Sequence, residues 1–168
     1  MKIRKIRNLD PKSTHKVVNG QKLESESEIR KLKARYLNAC DTKNVEAIRD
    51  CFTSDAEIQF PPLGNFDLDG LIKIFQEVAA TTPIYDVHHA HNGEIEIEGS
   101  TASGKWNLGF ATYDPRNNNF RMMSSIYEDR YRKTKNGWRI CFTKSTPRTI
   151  VDGCLQEDGL IAKWNENT

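Results

Sequence analysis

At Ile84 the apolar period of this chain changes. Before that point apolar residues recur every three or four positions, and after it they alternate at every second position through four or five long segments. Helices first and strands afterwards is an α+β arrangement, in which three N-terminal helices must cover one face of an antiparallel or mixed sheet to bury their apolar stripes. If that sheet curls, it encloses a cone-shaped apolar interior, an α+β barrel. At 168 residues one core suffices.

The first helix is expected from Ser25, because Ser25-Glu-Ser-Glu28 fits a capping box. Its core stripe is Ile29, Leu32, Tyr36 and Ala39/Cys40, which leaves Arg30, Lys31, Lys33 and Arg35 in water. A short second helix starts at the cap residue Asn44, with Val45, Ile48 and Phe52 inward. Ala56–Phe60 alternates as a strand and stops at Pro61-Pro62. Asp67 or Asp69 caps a third helix whose face is Leu71, Ile72, Phe75, Val78 and Ala79, ending before Pro83. Strands then follow through Glu94–Glu98, Thr101–Tyr113, Phe120–Lys133 and Trp138–Pro147, the last burying Trp138, Ile140 and Phe142.

Residues 1–24 read as a basic arm, 25–150 as the domain, and 151–168 as a tail in which Leu160, Ile161 and Trp164 form a small docking turn or helix. With 25 basic against 23 acidic residues the net charge is +2, which gives no general argument for nucleic acid. No apolar run approaches the ~20 residues of a membrane span, and the N-terminus lacks the apolar segment of a signal peptide, so a cytoplasmic protein is expected. Cys40, Cys51, Cys141 and Cys154 form no C-x-x-C pair and are expected to be reduced and mostly buried.

Three residues could carry chemistry. Tyr36 sits in an aliphatic stripe, so its hydroxyl either finds a partner in the core or points at a cavity. Asp41 lies about 140° around an ideal helix from Tyr36, so the two share a site only if the helix ends or loosens at Asp41. In Val87-His88-His89-Ala90-His91 a strand sends His88 and Ala90 one way and His89 and His91 the other. His89 and His91 lack a third ligand at recognisable spacing, so no metal is expected; a histidine becomes an acid/base group only with a partner carboxylate.

The pattern Ile29-x-x-Leu-Lys-x-x-Tyr36-x-x-x-x-Asp41, Val87-His88, Asn92-x-Glu-Ile-Glu-Ile97, Thr101-Ala-x-Gly-x-Trp106, Tyr127-x-Asp129-x-Tyr131 and Asn136-Gly-Trp138 resembles the SnoaL-like branch of the nuclear transport factor 2-like superfamily. It looks closest there to the bile-acid 7α-dehydratase group. The resemblance covers roughly residues 27–150 and implies catalytic roles for Tyr36, Asp41 and His88. It implies substrate contacts from Trp106, Phe110, Tyr127 and Arg148. Where those dehydratases carry an acid, four positions after the tryptophan, this chain has Phe110, so a carboxylate has been exchanged for an apolar wall.

The expected function is a lyase (dehydratase) or isomerase that needs no cofactor and moves a proton on a small steroid-, terpenoid- or polyketide-like hydroxy or keto compound. Two alternatives stand beside it: a non-catalytic binder of hydrophobic ligands, and a small subunit of a ring-hydroxylating oxygenase. Outward residues such as Met122, Ile126 and Arg130 are expected to join copies into a dimer or trimer.

Overall fold

The computed structural model describes residues 11–81, 84–156 and 159–165. Most of the expected basic arm's first half, residues 1–10, lies outside this range, as do the side chains of Val78 and Ala79.

Helix α1 spans Pro11–Asp41 and therefore begins fourteen positions before Ser25. A capping box marks where a helix can start, not where it must. Pro11 supplies an alternative first residue with φ preset and no amide to orphan, no further proline follows before Asp41, and the one glycine, Gly20, costs only about 1 kcal/mol. Ser25 is consequently buried along the helix flank rather than capping its end. Helix α2, Val45–Arg49, starts where expected, with the Asn44 side chain accepting from the Ala47 amide at 3.0 Å. Helix α3, Leu68–Thr81, takes Asp67 rather than Asp69 as its cap, through the Gly70 amide at 2.8 Å.

The sheet is a curved, unclosed surface in the order β2 (Gly64–Phe66), β1 (Phe52–Phe60), β6 (Gly137–Gln156), β5 (Asn119–Thr134), β4 (Thr101–Asp114) and β3 (Tyr85–Glu98). Among the described strands only β1 and β6 run parallel; the other pairs are antiparallel. The expected tail is not a docking turn or helix. Strand β6 continues to Gln156 and folds back as β7, Gly159–Asn165. Its alternation is weak because none of the described side chains of this hairpin is deeply buried.

The core lies between the concave face and the helices, with Ile29, Leu32, Tyr36 and Cys40 of α1 against Trp106, Leu108, Tyr127, Tyr131 and Ile140 of the sheet. Two irregularities decide which residues reach it. In β3 the pairing shifts between His91 and Glu94, with Asn92 at φ 49°. Inward positions therefore change from Asp86, His88 and Ala90 to Gly93, Ile95 and Ile97. In β6 a shift opposite Arg130 and Tyr131 turns Phe142 outward beneath the Arg130 guanidinium at 4.2 Å, against its expected burial, while Thr143 takes the inward place.

Candidate active site

Helix α1 ends at Asp41, and the end of the helix brings its carboxylate across to edge strand β3. There Asp41 Oδ1 lies 2.5 Å from His88 Nδ1, and Oδ2 accepts from the His88 backbone amide at 3.3 Å. One residue thus grips both oxygens. With Nδ1–H donated to the carboxylate, the lone pair of the neutral ring is on Nε2. Phe110, opposite His88 on β4, packs its ring 4.6 Å from the imidazole at 46°. Burial holds the His88 pKa below its ordinary value, outweighing the hydrogen bond and charge of Asp41 that pull it up. The imidazole is neutral at neutral pH, the state a proton acceptor needs.

A second contact joins the same two elements. Lys43, two residues beyond Asp41, donates its ammonium to the carboxylate of Asp86, two residues before His88 on the same inward face. A cavity of about 320 Å³ between α1 and the edge strand has His88 in its wall together with Arg30, Asn38, His91 and Trp106. Arg30 is spoken for: it binds Glu26 and the Gly93 carbonyl and covers the Trp106 ring.

Tyr36 occupies a different level. It is buried edge-on against Phe52, ring centres 5.1 Å apart, with its hydroxyl coupled to Cys40 and Tyr127. Tyr127 couples onward to Ser145, which bonds Ser125 at 2.6 Å. Burial above all keeps both phenols protonated far above neutral pH, and it raises Cys40 as well. Tyr36 and Asp41 belong to one helix end, but no contact of Tyr36 with His88 joins them.

Lys33, expected in water, is buried. Its ammonium bonds Asp129 Oδ2 at 2.8 Å and lies 3.5 Å over the centre of the Tyr127 ring. Asp129 also accepts from Tyr131 and Thr143, both at 2.7 Å, and Tyr131 in turn accepts from Trp106 Nε1 at 3.0 Å. Every polar atom of this group has a partner, which is what makes two charges tolerable in a core. The helical spacing Ile29, Leu32, Lys33, Tyr36 placed Lys33 beside the buried stripe, and Asp129 alternates with Tyr127 and Tyr131; an inward aspartate on β5 was the available signal.

Of the remaining expected residues, Trp106 and Tyr127 are buried and Phe110 is half-buried on the inward face. Arg148 is exposed where β6 steps out of register between Pro147 and Thr149. Among the described residues no group of three or more His, Cys, Asp or Glu could hold a metal ion, and no helix is long and apolar enough to cross a membrane.

The SnoaL-like domain profile matches residues 21–144. An uncharacterised protein of Mycobacterium tuberculosis, Rv2910c, is 27% identical over 135 residues, spanning 77% of this chain and 86% of that protein. A candidate scytalone dehydratase from Novosphingobium aromaticivorans superposes with a TM-score of 0.73 at 16% identity, over 79% of this chain and 89% of the other. Hexachlorocyclohexane dehydrochlorinase LinA-type3 from Novosphingobium barchaimii superposes with a TM-score of 0.70 at 13% identity, over 89% and 96%. At these identities the likeness is one of fold.

Proposed function

Because the chain belongs to the SnoaL-like domain family, we propose that it is a lyase or isomerase that works without a cofactor, with His88 as its base. The observation that carries this is the Asp41–His88 contact, a neutral imidazole oriented by a carboxylate and backed by an aromatic wall. His88 Nε2 takes a proton from a substrate carbon, and Asp41 stabilises the imidazolium that results. The freed C–H electron pair forms a double bond. In elimination a hydroxyl on the neighbouring carbon departs with its own bonding pair and takes the proton from His88 to leave as water. In isomerisation an enolate forms and the proton returns at another carbon.

Tyr36 and Tyr127 lie deeper in the core in their own hydroxyl network, where raised pKa values keep the proton on oxygen, and no step of the proposal passes through them. Trp106 and Phe110 supply apolar walls, and no step passes through Arg148. Phe110 in place of the dehydratases' acid argues for a largely apolar hydroxy or keto compound of steroid, terpenoid or polyketide type. Two solved neighbours are named for eliminations, a dehydratase and a dehydrochlorinase, which supports the reaction class.

The test is a turnover screen over hydroxy-ketones with His88→Ala as control. The variant should lose about 10²- to 10⁴-fold in rate, the range for a positioned general base. An unchanged rate removes His88 from the mechanism, and saturable binding without turnover assigns the cone to ligand sequestration.

We also propose that copies associate through the convex face. There Val87 and Met122 are exposed around a shallow apolar depression that Ala111 and Val151 continue.

A further inference from the structure

The end of α1 and the inward face of β3 are joined by two rungs of opposite polarity. In the first, the acid comes from the helix side and the base from the strand: Asp41 with His88. In the second the order is reversed, Lys43 with Asp86, each two residues from its counterpart in the first rung. The second rung is expensive to build. Lys43 takes a left-handed backbone at φ 55°, uncommon for a residue with a Cβ, and its amide bonds the Cys40 carbonyl at 3.1 Å, closing the helix. Asp86 sits half-buried on the inward face, where a carboxylate without a partner is costly.

We propose that Lys43 and Asp86 are positioning residues of the Asp41–His88 site: their ion pair locks the helix end to the edge strand and neutralises the carboxylate two residues from His88 on the inward face of β3. Asp86 would otherwise compete with Asp41 for the imidazole and favour its charged form. Lys43 would otherwise repel an imidazolium. Paired, they oppose each other, and Asp41 remains the acid that His88 bonds.

The charged groups around the ring are few. Helix α1 presents Asp41 and, in the wall of the shared cavity, Arg30 and Lys33, both engaged by carboxylates of their own. The ring's own strand presents Asp86 and, in the cavity wall, the imidazoles of His89 and His91, and the loop presents Lys43; Asp86 and Lys43 act on His88 in opposite senses. From β4 it meets Phe110, which carries no charge. Changing one member of the rung should therefore move His88 in a direction set by the member that is left.

The inference rests on His88 as base only for its effect on rate, so the deciding measurement is made without substrate. Imidazole NMR titration of the full chain should show the His88 midpoint moving up by about one unit in Lys43→Gln and down in Asp86→Asn, as Coulomb interactions across a few ångströms in a half-buried site allow. The double variant Lys43→Gln/Asp86→Asn should return near the parent value, and Lys43→Arg should leave it unmoved. Midpoints that stay put in both single variants, or move the same way, overturn the proposal. If Lys43→Gln does not fold, Asp86→Asn and Lys43→Arg still decide it, since the one must move the midpoint and the other must not. Should a substrate be found, the acid limb of kcat/KM should follow the same shifts; absence of turnover would count against the enzyme reading and leave the titration result standing.

Discussion

The His88 ring loses its proton more readily in the folded chain than in water, because burial penalises the imidazolium more than Asp41 rewards it. The sign of the pH dependence follows. On unfolding the group returns to its ordinary value, 6.5, and binds a proton there, so its contribution to stability is complete above that value. That contribution is lost as pH falls from 6.5 toward the lower folded value, and thermal melts should show a decline in Tm across this interval that His88→Gln flattens. Catalysis should fall through the same folded value, which places the acid limb below the usual imidazole range. Lys33 makes a different prediction. It and Asp129 are fully buried, so Asp129→Ala strands an ammonium in the core and should cost about 3–5 kcal/mol in denaturant melts. Replacing both with apolar residues of similar volume should cost much less. Equal losses in the single and double variants would show that the pair itself carries the stability.

At the level of elements, the irregularity in β3 does the most. A strand of strict period two would put Ile95 and Ile97 on the face of His89 and leave His88 opposite them. The extra residue at Asn92 and Gly93 resets the count, so that His88 and the two isoleucines all face inward. Gly93 is the necessary residue here: a Cβ at that position would sit 2.2 Å from Trp106 Cζ3 and 2.9 Å from Arg30 Nη1. Gly93→Ala should therefore push Trp106 off Tyr131 and destabilise the fold by about 1–3 kcal/mol, the usual cost of overpacking. Trp106 fluorescence and a urea midpoint measure both effects, and a neutral substitution would mean that the bulge relaxes freely.

In the whole molecule, one convex and one concave face divide the labour. The concave face carries the core and the Asp41–His88 site, and the convex face carries charged residues and the apolar area around Met122. If copies associate there, light scattering should give a mass of two or three chains, and Met122→Glu should reduce it to that of one; a single-chain mass for the parent would exclude the association. The sequence by itself determined the class of fold, because the change of period at Ile84 is local, and helices that precede strands have one way to bury their stripes. It also determined most inward faces, the α2 cap, and Asp41 and His88 as candidates, and it narrowed the α3 cap to Asp67 or Asp69. Only the tertiary structure decided which candidates meet. Asp41 reaches His88 because the helix ends there, whereas Tyr36, five residues earlier in α1, is turned into a separate hydroxyl network. The burial of Lys33 was likewise beyond local reading, since charge argues for water unless a partner waits, and that partner, Asp129, lies 96 residues along the chain. The same holds for Lys43 and Asp86. Period and capping are properties of neighbours in sequence, but the pairing of charges across a core is settled by distance in space.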